Sequence, residues 1–228
     1  MYNKGSNLID IGGESTRPGS KLVNERQEWK RINKILRSIV KKIPLSLDTR
    51  KSRIMEKGIK MGVKLINDVS GLNFDPQTIT TLKKYKIPFV IQHSVGTPEN
   101  MQKNIKYKNE LLDIYDFFEE KIKLIRSRGI KHNNIILDPG IGFGKNLKHN
   151  MNLISNISIF HSLGFPIMLG VSRKKFIKEL SGNNDSKERL GGTMSSSLYA
   201  MLQGVQILRV HDVNEVNQSI KVFNSLKF

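Results

Sequence analysis

Short β-branched runs alternate with longer stretches of helical period along the chain. The short runs are Leu8 to Ile11, Pro44 to Leu47, Lys64 to Ile66, Phe89 to Gln92, Ile135 to Leu137, Ile167 to Leu169 and Gln206 to Val210, which predicts about seven strands. Between them the apolar positions fall on one helical face. A helix opening at Asn24 carries Trp29, Ile32, Ile35, Leu36 and Ile39, and one over Asn109 to Arg126 carries Leu112, Tyr115, Phe118, Ile122 and Ile125. Both stripes read as core. Asp75 followed by Pro76 reads as a helix N-cap with proline in the first helical position, and Gly129 closes the long helix. Strands alternating with helices predict βαβ units around a parallel sheet.

The polar positions choose between an open sheet and a closed one. Every predicted strand ends in, or is followed by, a polar or glycine-rich element: Asp10 to Arg17, Asp48 to Arg50, Asn67-Asp68, Gln92-His93, Asp138 to Gly140, Gly170 to Lys174 and Arg209 to Asp212. A doubly wound sheet concentrates its site at one switch point, whereas a barrel gathers all its strand ends into one ring. The even spread predicts an α/β TIM (β/α)8 barrel, although only about seven of its eight strands are visible. No composition shift, low-complexity tract or repeat divides the chain, so residues 1–228 are expected to form a single domain.

Composition narrows the function classes. There is no cysteine, which excludes disulfides, thiolate metal sites and a thiol nucleophile. No apolar run reaches membrane-span length and the first residues lack a signal-peptide core, so no membrane partner and a cytoplasmic location are expected. The formal net charge is +18. Such a charge can bind nucleic acid, but the lysines are scattered through the helices without interleaved aromatics, and no nucleic-acid partner is expected. A positive field would still attract a phosphorylated small molecule.

At the predicted mouth, Asp48, Asn67 and Asp138 offer hydrogen-bond acceptors suited to a flat heterocycle with several N–H donors. Asp48 could equally cap the next helix, and Asp138 could be a turn aspartate. Asn67, embedded in an apolar run, needs a partner. Arg17, Lys174, Arg209 and His211 come from separate strand ends and could converge on a multiply charged anion such as pyrophosphate. Arg209 could also stack on a ring, and strand alternation puts it on the same side as His211. Gly140, Gly142 and Gly144 permit a tight loop. Zinc spacing, a Ser/His/Asp arrangement and P-loop spacing are all absent from the sequence.

Six blocks in order, Asp10 to Gly19, Ser46 to Thr49, Ile66 to Gly71, Asp138 to Lys145, Gly170 to Lys174 and Arg209 to Asp212, make the chain resemble the dihydropteroate synthase family over nearly its whole length. The resemblance implies a sulfonamide-target transferase of folate biosynthesis that condenses 6-hydroxymethyl-7,8-dihydropterin pyrophosphate with 4-aminobenzoate. It implies that Asp48, Asn67 and Asp138 bond the pterin, with Lys174 at its edge and Arg209 on its face. Arg17, Arg209 and His211 would hold the pyrophosphate, and Thr16, Pro18, Phe143 and Ser172 would line the aminobenzoate pocket. Asp48, Lys174 and Arg209 are the implied catalytic residues. A dissociative route is expected, in which departing pyrophosphate leaves positive character on the pterin methylene. The family also implies Mg2+ and a homodimer. Its first βα unit, which carries an asparagine metal ligand, has no counterpart in this sequence, so no metal ligand is assigned and the barrel is expected to lack its first strand and helix. Gln92 stands where the family usually has methionine, and Lys175 could pair with the aminobenzoate carboxylate or face solvent. A pterin-dependent methyltransferase-like domain, a non-catalytic pterin-binding remnant and a basic nucleic-acid binder are the alternatives.

Overall fold

The computed structural model describes residues 1–102 and 105–226. Its strands are β1 (Ile9–Gly12), β2 (Leu45–Asp48), β3 (Leu65–Asp68), β4 (Phe89–Gln92), β5 (Ile135–Asp138), β6 (Met168–Leu169) and β7 (Ile207–Leu208). They pair in parallel and in chain order, β1 to β5 in one sheet and β6 with β7 in another. The Leu137↔Ile167 bridge joins the two, with the Leu137 amide donating to Pro166 O at 2.9 Å. The wall curls until its two ends face each other: among the described residues no ladder pairs β7 with β1, and the Arg209 side chain, just past β7, bridges the gap by donating to Asp10 of β1 at 2.8 Å. This is the predicted barrel, with the seven strands that the pattern predicts among the described residues.

Helices α1 (Glu25–Ile39), α2 (Ser52–Met61), α3 (Thr78–Tyr85), α4 (Glu110–Ser127), α5 (Leu147–Ser155), α6 (Lys175–Ser181), α7 (Leu190–Leu202) and α8 (Val213–Leu226) follow the strands. Asn24 caps α1 by accepting from the Gln27 amide, and Asn109 caps α4 by accepting from Leu111 and Leu112. Among the described residues, no helix is long and apolar enough to cross a membrane.

Strand alternation sorts the core into two layers and thereby positions the site. Leu45, Leu47, Ile66, Phe89, Ile91, Ile135 and Leu137 face the helices and join the large buried cluster. Leu65, Val90 and Met168 point the other way and plug the barrel with Leu8, Ile136 and Ile207. The register pairs Asp10 with Ser46, Asp48 with Asn67, Asn67 with Val90, and Gln92 with Asp138. Cα partners share a face, so these polar side chains stand on the same barrel-interior face as the apolar plug.

Three local expectations are corrected. Ile35 and Leu112 are 48% and 52% exposed, because each lies at the edge of its helical stripe; Ile114 takes the buried place on α4 instead. Asp75 does not cap α3, whose cap position is Gln77; its carboxylate accepts from the Ser52 amide at 2.8 Å and the Gln77 amide at 2.9 Å, tying a turn to the start of α2.

Candidate active site

A cavity of about 290 Å³ lies between β7 and β1, running from Met1, Ser6 and the plug residues Leu8, Leu65 and Met168 up to the C-terminal strand ends, where Asp10, Asn67, Ser172, Lys174, Arg209 and His211 are among its walls. Arg209 spans it. Its Nε donates to Asp10 Oδ2 at 2.8 Å and its Nη2 to Asp48 Oδ2 at 3.0 Å, while Asn67 Nδ2 donates to Asp10 Oδ2 at 3.3 Å. The remaining inward polar atoms have no protein partner: Asp10 Oδ1, Ser46 Oγ, Asp48 Oδ1, Asn67 Oδ1 and Gln92 Nε2 are buried and unpaired. Buried polar atoms are normally bonded, so a cluster of orphans at one mouth is arranged for something that arrives from outside. Four of the five can accept, which suits a ligand rich in N–H donors.

Charge in this cavity is poised near neutral pH. Burial pushes Asp48 up to about 8, reinforced by the Asp10 charge and opposed by Arg209. Burial also raises Asp138, against the Gly140 amide, which donates to its Oδ1 at 2.7 Å. Enclosure pushes Lys174 down to about 8, and its ammonium lies 4.2 Å from the centre of the Phe143 ring. Burial lowers His211, with Arg173 and Arg209 adding to the effect. The His211 amide donates to Ser172 Oγ at 3.2 Å, and its Nδ1 lies 3.0 Å from the same oxygen.

The structure therefore brings together Asp48, Asn67, Asp138, Phe143, Ser172, Lys174, Arg209 and His211. Thr16, Arg17 and Pro18 stand apart on the loop between β1 and α1, with Arg17 and Pro18 exposed. Arg17 does not line the cavity, and its charge reaches His211 only through space. Lys175 faces solvent and pairs with Glu179 at 2.8 Å.

Sequence reasoning missed Asp10 as the anchor of Arg209, although a carboxylate between Ile9 and Ile11 carries the same signal as Asn67. It also missed Arg173, held at φ 60 by its pair with Asp212 and by its amide donating to Thr193 Oγ1 at 3.0 Å.

Gly140 is required on two counts. Its φ is +69, and a Cβ there would lie 2.0 Å from His93 O, a backbone atom that cannot swing away. Gly140→Ala is expected to lose roughly 3 kcal/mol of stability in urea unfolding, from a left-handed alanine plus the clash.

Comparison with known proteins agrees with this geometry. The pterin binding enzyme family matches residues 1–211. The chain is 36% identical over 228 residues to the dihydropteroate synthase of Synechocystis, covering 99% of this chain and 79% of that one. The chain belongs to the dihydropteroate synthase family. A crystal structure of the Yersinia pestis family member with a sulfonamide drug complex superposes at a TM-score of 0.94, with 35% identity over 98% of this chain and 82% of that one. The Thermus thermophilus synthase in complex with 4-aminobenzoate superposes at 0.93, with 34% identity over 99% and 86%. The family's barrel is the architecture seen in this chain.

Proposed function

We propose that this chain is a dihydropteroate synthase of folate biosynthesis, joining 6-hydroxymethyl-7,8-dihydropterin pyrophosphate to 4-aminobenzoate. The observation that carries the reading is the set of orphaned acceptors under Arg209. A dihydropterin presents ring N–H and amino donors along its edges, and Asp48, Asn67 and Asp138 take them, with Lys174 at the ring edge and Arg209 over its face. The Thermus relative is in complex with 4-aminobenzoate, and the family resemblance implies that this second substrate lies between Phe143, Ser172 and the rim loop carrying Thr16 and Pro18.

The chemistry follows from these charges. The C–O bond to pyrophosphate breaks, its electron pair leaves with the anion, and Arg209 and His211 in the cavity hold the departing charge, with Arg17 added from the rim loop outside it. Asp48 and its neighbours offset the positive character left on the pterin methylene. The neutral arylamine then forms the C–N bond and releases one proton to solvent. For Mg2+, which the family implies, the described residues offer no cage of three His, Asp or Glu side chains, and an ion carried mainly by pyrophosphate oxygens and water needs none. No step is assigned to it.

We place the chain in the cytoplasm, a setting that suits a cysteine-free protein. We also assign it a homodimeric state through α7 and α8, where Tyr199, Leu202, Val222 and Leu226 are exposed apolar side chains. Sedimentation should give twice the monomer mass, and Leu202→Asp should shift it toward one chain.

The test of function is a coupling assay with purified chain, Mg2+, pterin pyrophosphate and 4-aminobenzoate, following pyrophosphate release. Turnover that disappears in Arg209→Ala is the expected result. Pterin binding without turnover would make the chain a remnant, and salt-sensitive nucleic-acid binding without pterin affinity would make it a basic binder.

A further inference from the structure

The rim loop from Gly13 to Asn24 carries Thr16, Arg17 and Pro18, yet it buries almost nothing of its own: Arg17, Pro18, Lys21 and Leu22 are all exposed. A loop without an apolar anchor is ordered only by polar ones. Near its tip these are few, chiefly the Gly19 amide donating to Pro98 O at 2.8 Å and Ser20 Oγ to Ser15 O at 2.6 Å.

At its base the anchor is of another kind. Glu14, with a side chain only 5% exposed, fills both carboxylate oxygens. Oε1 accepts from the Val23 amide at 2.8 Å and Arg50 Nη2 at 3.1 Å; Oε2 accepts from Arg50 Nε at 3.0 Å and Lys51 Nζ at 2.9 Å. One side chain thus closes the loop on itself and forks it to the segment after β2. Lys51 continues to Glu28 Oε2 at 2.6 Å, and Glu28 Oε1 accepts from Thr49 Oγ1 at 2.5 Å, fixing α1 to the same point. The Arg50 guanidinium lies 4.3 Å from the centre of the Phe74 ring, which brings in the loop after β3.

None of these four charged residues lines the cavity. A buried cluster of two acids and two bases stabilises a fold no better than apolar packing of the same volume, and its distinctive product is a single geometry. A bidentate arginine fork defines both distance and orientation of the loop it grips.

We propose that Glu14 is a positioning residue that, through its fork with Arg50 and Lys51, anchors the base of the loop carrying Thr16, Arg17 and Pro18 and so sets where that loop can meet the second-substrate and anion side of the site. The substrate part of this inference rests on the function proposed above, whereas the clamp itself does not. Burial alone would raise the Glu14 carboxyl, but Arg50, the Val23 amide and Lys51 together lower it, which agrees with a clamp that stays ionised.

The test uses the full chain and two variants, Glu14→Gln, which keeps the shape but loses the charge, and Arg50→Lys, which keeps the charge but loses the fork. Native-state trypsin cleavage after exposed Lys21, mapped by mass, is expected to speed up about tenfold in both, with thermal unfolding recorded to show that each is folded. KM for 4-aminobenzoate is expected to rise about tenfold while the dissociation constant for the pterin stays the same. Cleavage after Lys21 at the wild-type rate in both variants overturns the clamp. Faster cleavage with an unmoved KM overturns its role in positioning the substrate wall. A wild-type chain that shows no turnover while the variants still show the cleavage difference upholds the clamp and sinks the functional reading instead.

Discussion

Replacing Arg209 by alanine is expected to lower kcat/KM by roughly a thousandfold or more, the larger share in kcat, because one guanidinium serves both halves of the proposed reaction. It lies across the cavity mouth on two carboxylates, where a pterin ring would stack, and it belongs to the cationic set that receives the leaving pyrophosphate. Stability should fall as well, by less than the 3–5 kcal/mol typical of a fully buried pair, and about 1–2 kcal/mol is the discounted expectation. The discount is needed because the Arg209 side chain is 42% exposed. The Asp48 share of that loss has a sign in pH. Arg209 holds Asp48 down, so its removal lets Asp48 rise above its already elevated value, and the penalty grows as pH climbs through about 8, where the wild-type carboxyl ionises. Arg209→Lys keeps a charge but neither fork nor flat face, and should recover only a small part of turnover. Urea unfolding of both variants at pH 6 and pH 9, beside steady-state kinetics, checks all three statements.

Legibility in the sequence followed the physics of each element. Strand existence and order were readable because parallel strands buried on the helix-facing side are β-branched and short, and Phe89 to Gln92 matches its observed bounds outright. Strand ends were less readable: β6 and β7 shrink to Met168–Leu169 and Ile207–Leu208, since ladder pairing depends on neighbours that pattern alone does not show. The inward set Asp48, Asn67 and Asp138 was legible because a polar side chain in an apolar run is too costly to bury unless something bonds it. Asp10 carried the same mark and went unread; what it holds, Arg209, lies at the far end of the chain. The Glu14, Glu28, Arg50 and Lys51 cluster could not be read at all. On a helix beginning at Asn24, Glu28 looks like an ordinary first-turn acid, yet it is fully buried, and only the tertiary meeting of α1 with the segment after β2 gives it partners, Thr49 and Lys51.

Asp48→Asn is expected to produce a chain that is more stable at alkaline pH and nearly inactive. Asp48 titrates near 3.8 when unfolded and about 8 when folded, because burial and the Asp10 charge outweigh Arg209. A carboxyl raised in this way contributes stability that is fully present below its unfolded value and lost as pH rises through the folded one. The wild-type protein without substrate should therefore weaken steadily between about pH 4 and pH 8, whereas an asparagine at this position carries no such slope. Above pH 8 the variant should be the more stable by on the order of 2 kcal/mol, part of the gain being offset by the weaker bond from Arg209 to a neutral amide. Binding should run the opposite way. The unpaired Asp48 Oδ1 is proposed to accept from the pterin, and an ionised carboxylate accepts more strongly than a neutral one, so wild-type affinity should climb with pH toward about 8 and then level. Asparagine can turn an N–H group toward a substrate donor and offers no charge to the methylene as pyrophosphate leaves, which predicts a loss of roughly a hundredfold to a thousandfold in kcat/KM at every pH. Pterin titration calorimetry and urea unfolding across pH 5 to 9 read the two slopes separately. Undiminished turnover in this variant would remove the carboxylate from the mechanism, while an apo stability that keeps the wild-type slope would mean that another group near Arg209 carries the titration. Opposed slopes from one carboxylate are what a substrate site requires, since the charge that makes Asp48 useful to the ligand is the charge the empty barrel would do better without.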